Sequence, residues 1–159
     1  FAFNEHLILM AHKSFPANEQ AKEYSLSLSD IRKEKHLKKT TKAVPLQLFK
    51  DEHFVLLKNG NDSRARANRM CQSSGFTPKA VIEVDQLATA YNIAGNGMGI
   101  TFISDTLAKK ASLNHDVICY KLDDTFAMRE VYFYYKTNKY FSRVMEEFLS
   151  FANRMVKPS

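Results

Sequence analysis

Three glycines at alternate positions, Gly95, Gly97 and Gly99, separate two stretches of different periodicity. Upstream, Leu87, Ala90, Tyr91 and Ala94 recur at helical spacing. Downstream, Met98 to Ser104 is a short apolar run rich in β-formers, the pattern of a buried strand. A phosphate-cradling fingerprint needs the opposite order, with the strand first and the helix last, so that the helix N-terminus meets the phosphate. The glycines therefore read as architecture. Gly95 and Gly97 suit a left-handed helix end and a tight turn. Gly99 suits a strand start where another backbone comes close. The polarity of the middle of the chain follows: helix, turn, strand.

The same alternation extends outward. His6–His12, His53–Leu57, Ala80–Val84, Val117–Leu122 and Arg129–Lys136 read as strands. A short helix begins near Ser27 or Ser29, either of which can cap it, and Pro45 suits the first turn of another. Ser63–Phe76 reads as a helix with Ala67, Met70, Cys71 and Ser74 on one face; Asp62 or Ser63 caps its start and Gly75 ends it. A further helix runs from Asp105 to about Ala111. The last helix, Phe141–Met155, has Phe141, Val144, Met145, Phe148 and Ala152 on one wide apolar face that needs a partner surface. Short strand-to-helix loops joining alternating elements predict βαβ units around a largely parallel sheet, an α/β fold.

At 159 residues, 45% hydrophobic and 25% charged, the chain is long enough to bury a core, and no apolar run reaches the length of a membrane span. Cys71 and Cys119 form neither a disulfide framework nor a metal knuckle, which points to a reducing, cytoplasmic setting. Much of the net charge of +6 sits in Arg32–Lys42. That segment lacks aromatics interleaved for base stacking and reads as a solvated, exposed loop. The five histidines are scattered, no metal-ligand spacing or nucleophile elbow occurs, and Glu146–Glu147 reads as solvated helix charge. No enzyme, metal or cofactor is expected.

Taken in order, these pieces resemble a known family. The strand Phe54–Leu57, a polar loop, a helix ending Ser74–Gly75–Phe76, the Ile82–Asp85 step into a helix, and the Ala94–Ile100 turn into a strand ending Ile103–Asp105 are similar to the effector-binding domain of LysR-type transcriptional regulators. Leu7–Pro16 and Arg129–Ala152 resemble its earlier strand and loop and its last strand and helix, whereas Arg32–Lys42 looks like an insertion. The resemblance implies a two-lobed fold like the type 2 periplasmic binding proteins, with an effector between the lobes. Residues 1–11 would end the first lobe and cross over, 12–128 would form a complete second lobe, and 129–159 would return to a first lobe only partly present. It implies a bacterial, cytoplasmic regulator whose DNA-binding winged helix-turn-helix is absent from this sequence. A homodimer or tetramer would pair through Arg64–Ser74 and Ala80–Val84. A solute-binding protein of a transport system is the alternative on the same fold. The family's effector contacts carry over to Asn61, Asp62, Ser63 and Arg64; the helix start at Asp85, Gln86 and Thr89 is a second candidate rim. On the residues alone, Asp62 or Ser63 as a plain helix cap competes with that role.

Overall fold

A computed structural model describes residues 2–123, 125–132, 134 and 142–156. The described elements in chain order are β1 (Ala2–His12), α1 (Ala17–Gln20), α2 (Leu28–Arg32), β2 (His53–Leu57), α3 (Asp62–Ser73), β3 (Lys79–Val84), α4 (Leu87–Gly95), β4 (Thr101–Ser104), α5 (Asp105–Lys110), β5 (Val117–Tyr120), β6 (Met128–Tyr132) and α6 (Arg143–Val156). The chain divides into two compact units, one of Phe1–Glu5 with Arg129–Ser159 and the other of His6–Met128.

In the larger unit, β1 pairs antiparallel with β4 on one side and with β5 on the other. β2 and β3 pair parallel, and a parallel bridge from Phe54 to Ile100 joins them to β4. The strand order is therefore β3, β2, β4, β1, β5. The expected parallel sheet is found with one exception: β1 runs against the other four. Hydrophobic alternation reports which face a side chain takes, not which way its strand runs.

Both faces of this sheet are covered. Leu7, Leu9 and Ala11 of β1 enter one core cluster with Phe54, Leu56, Phe102 and Tyr120, under Met70 and Cys71 of α3 and Phe49. Ile8 and Met10 point the other way, to Ile103, Val117 and Cys119, under Leu28 and Ile31 of α2, Ala94 of α4 and Ala108 of α5. A strand buried on both faces has to be continuously apolar, and Leu7–Ala11 is.

The glycines divide by role. A Cβ on Gly99 would lie 2.8 Å from Val55 Cγ2 and 3.2 Å from both His53 O and Val55 N. That crowding is the counterpart of the hydrogen bonds Val55 N–H to Ile100 O and Ile100 N–H to His53 O, both 2.8 Å, which draw β2 and β4 together. Gly97 turns the chain at φ +83°, and Gly75 ends α3 at φ +86°. Gly95 departs from expectation: it is the last residue of α4, without a positive φ. The left-handed position falls two residues later because Asn96 and Gly97 still donate to Ile93 and Ala94 carbonyls.

In the smaller unit, β6 pairs with β1, and Arg129 Nη2 lies 2.8 Å from Glu5 Oε1. Val144, Phe148, Phe151 and Met155 form an exposed apolar row on α6, and Arg143 lies 3.6 Å from Glu147 on its polar side. The expected face includes Phe141, and the expected last strand includes Phe133, Tyr135 and Lys136, which lie outside the described residues.

Gly99→Ala should cost about 1–3 kcal/mol, the usual scale of overpacking in a well-packed interior. Gly95→Ala, at a helical position with only Asn114 Nδ2 at 3.4 Å, should be neutral or slightly stabilising. Urea denaturation of the two variants checks the contrast; equal losses would contradict the close-approach assignment of Gly99.

Candidate functional site

Because β2, β3 and β4 run the same way, their carboxyl ends Leu57, Val84 and Ser104 share one edge of the sheet. β1 runs the other way, so its Leu7, paired with Ser104, brings His6 to the same edge. Strand-to-helix turns at such an edge are where open α/β sheets gather ligands.

The loop after β2 is fixed by its own polar groups. Lys58 N–H donates to Val84 O at 2.9 Å, and Lys58 Nζ lies 3.2 Å from Asp85 Oδ1, which ties it to the loop after β3. Asn61 caps α3: its Oδ1 accepts from Ser63 N–H at 2.8 Å. The cap thus falls one residue before the expected Asp62 and two before Ser63, because Asn61 keeps the extended backbone of a cap while Asp62 is already helical. Asp62 is exposed, with Oδ2 3.9 Å from Arg66 Nη1. Ser63 is buried at the helix start. Arg64 turns inward: Nη1 donates to Leu57 O at 2.7 Å, Nε donates to Asn68 Oδ1 at 3.1 Å, and Glu83 lies 3.5 Å away. Its guanidinium braces the loop.

Gln86 and Thr89, the second candidate pair, sit at the start of α4 and are exposed. Gln86 takes the cap position, and no side chain caps the helix. The first N–H groups of α4, at the same edge as the α3 loop, thus have no side-chain acceptor from the cap residue, and such groups attract an anion. The structure brings Asn61–Arg64 and Gln86–Thr89 to neighbouring loops. It gives them different surroundings: Asn61 and Arg64 hold the loop through hydrogen bonds, Ser63 is buried at the helix start, and Asp62, Gln86 and Thr89 are exposed.

A third group at this edge has no local sign in the sequence. Asp105, at the N-terminus of α5, is buried. Its Oδ1 accepts from His6 N–H at 3.1 Å, its Oδ2 lies 2.9 Å from His36 Nε2, and His6 Nδ1 stands 3.4 Å from Oδ2. Burial opposes ionisation of the carboxyl. The contacts from His36, the His6 ring and the His6 N–H, with the charge of Lys109, outweigh it and hold the group well below the usual carboxylate range. His36 belongs to the lysine-rich segment expected to be a solvated loop, yet its ring is buried. Its neighbours Lys33, Lys38 and Lys39 are exposed, as expected. The thiols of Cys71 and Cys119, both free, are pushed up to about 12 by burial and are inert as nucleophiles. Among the described residues, no group of three His, Cys, Asp or Glu side chains could hold a metal.

Elsewhere in the larger unit, a groove of about 520 Å³ is lined by Tyr24, Lys42, Val44, Met70, Leu122 and Asp123 among others, and includes none of the expected site residues.

The depressed value at Asp105 has a definite sign. Its stabilising contribution is complete above the unfolded carboxylate value of about 4 and is lost only as pH falls towards the lower folded value. Asp105→Asn should therefore cost about 1.5–3 kcal/mol at pH 7, the scale of hydrogen bonds to a charged group, and a similar amount at pH 5. Denaturant titrations of both proteins at pH 7, 5 and 3 check this. A difference already gone at pH 5 would contradict it.

With this geometry in place, the chain can be compared with known proteins. A family model described as LysR substrate binding domain matches residues 3–157. The uncharacterized HTH-type transcriptional regulator YcgK of Bacillus subtilis is 25% identical over 114 residues, covering 72% of this chain and 34% of the regulator. The HTH-type transcriptional regulator XapR of Escherichia coli is 33% identical over 76 residues, covering 48% and 26%. The chain thus spans about a third or less of the length of these relatives. Among solved structures, the regulatory domain of Synechocystis PCC6803 CcmR in complex with 2-PG superposes with a TM-score of 0.67 at 16% identity, covering 98% of this chain and 64% of that one. The effector binding domain of QuiR in complex with shikimate gives 0.62 at 18%, covering 96% and 62%. Together they show a periplasmic-binding-protein-like, type 2, mixed α/β fold.

Proposed function

Because the chain belongs to the LysR substrate binding domain family, we propose that it is the effector-sensing part of a bacterial, cytoplasmic, DNA-binding transcriptional regulator. The regulator relatives favour this reading over transport. The observation that carries the site is the uncapped N-terminus of α4 beside the braced loop before α3, at one edge of one sheet. The proposed effector is a small hydroxylated organic acid. Its carboxylate would meet the first N–H groups of α4, and its hydroxyls would meet Ser63 and Gln86. Asp62 would not repel it strongly, since that carboxylate is drawn towards Arg66. Following the family, the first lobe would supply the opposite wall, with residues 1–11, 12–128 and 129–159 divided between the lobes as expected. DNA would be reached through a helix-turn-helix domain. The proposal includes pairing of two copies through α3 and β3. In its support, β3 has a hydrogen-bonded neighbour on one side, β2, and Val81 on it is exposed.

On this reading the loop's two roles, capping and ligand contact, fall to different residues. Asn61→Ala should cost about 1 kcal/mol of stability, the usual loss of a cap. Ser63→Ala should leave stability within about 0.5 kcal/mol but weaken effector binding by about 1–3 kcal/mol through a lost buried partner. Thermal shift against a panel of organic acids including shikimate, with sedimentation of the same samples, reads both. If an acid binds Ser63→Ala and Gln86→Ala with unchanged affinity, the edge is not its site. If the chain sediments as a monomer at every concentration tested, the pairing is wrong.

A further inference from the structure

The lysine-rich segment is not a free loop. It leaves α2 through Glu34 at φ +59°, a left-handed conformation that a residue with a side chain rarely adopts. Such a backbone persists only where its surroundings hold it, and the contacts are there. Glu34 Oε1 meets Lys109 Nζ at 2.8 Å, Thr41 Oγ1 donates to Lys35 O at 2.6 Å, Lys121 Nζ donates to Lys38 O at 2.9 Å, and Val44 N–H donates to Lys121 O at 2.8 Å. These contacts lie towards the surface. The one deep fastening is His36, whose ring is 2% exposed and lies 2.9 Å from Asp105.

Asp105 has a second duty. Its other oxygen is the acceptor for the N–H of His6, the residue at which the chain enters the larger unit. One carboxylate therefore serves both the strap, residues 33–42, and the point on β1 where the larger unit begins. The charges around it are accounted for: Lys109 is paired with Glu34, Lys35 with Asp30 at 2.8 Å, and Arg32 donates to Ala111 O. We infer that the strap is a conformational control element. Docking of His36 fixes the Asp105 carboxylate, and the fixed carboxylate holds His6, so the strap and the entry of β1 are held and released together. By reciprocity, loosening either end loosens the other.

Amide hydrogen exchange on the whole chain, followed residue by residue by NMR, tests this directly, because the His6 amide donates to a side chain. In His36→Leu, exchange at His6 and across the strap should rise about tenfold, with Val55 and Leu57 of β2 unchanged. His36→Gln, which keeps a donor, should recover part of the protection, and Lys39→Ala should change nothing at His6. Loss of strap protection with His6 unchanged would overturn the inference. If His36→Leu also exposes β2, Glu34→Gln decides, since it breaks the strap's ion pair with Lys109 at the surface while leaving the Lys109 charge near Asp105: faster exchange at His6 supports the coupling, and unchanged exchange refutes it.

Discussion

The backbone hydrogen bonds that β1 makes on both sides hold the larger unit together. Without them, β4 and β5 have no common neighbour, and β5 is cut off from the strands β3, β2 and β4. Consecutive side chains of Leu7–Ala11 go alternately into the two clusters that cover the sheet. A polar replacement anywhere in this run would therefore bury an unsatisfied group on one face or the other. The antiparallel course of β1 also has a consequence at its end. It delivers His6 to the edge where the parallel strands finish, so a residue of β1 shares a corner with the helix starts that follow β2, β3 and β4.

That edge combines satisfied and unsatisfied polar groups. At α3 the first turn is closed by Asn61 and braced by Arg64; at α5 Ser104 accepts from Leu107 N–H and Asp105 is held by two histidines. At α4 no side chain closes the turn. A helix start lacking a side-chain cap, next to two that have one, is where the proposed function puts the effector's carboxylate.

Much of this could be read from the residues. His53–Leu57 and Thr101–Ser104 are short apolar runs bounded by turn signals, and Gly99 announced a close backbone by its position between a turn and a strand. The family resemblance rested on the order of such pieces. The direction of β1 could not be read, since alternation is the same for either direction and a βα rhythm suggests parallel neighbours. The cap of α3 falls at Asn61, one residue before Asp62 and two before Ser63, because Asn, Asp and Ser all cap well and backbone angles choose among them. The His36–Asp105–His6 cluster was invisible for a plainer reason: its members lie 69 and 99 residues apart, and the basic charges around His36 pointed to solvent.

The central claim is that the effector engages the carboxyl edge of the sheet. The most direct measurement is backbone amide shift mapping of the labelled chain, titrated with an organic acid that raises its melting temperature. The account predicts the largest shifts at Lys58–Arg64 and Leu87–Thr89, saturating together with one affinity. Largest shifts at Val44, Leu46, Met70 and Leu122, around the groove elsewhere in the unit, with the edge unmoved, would contradict it.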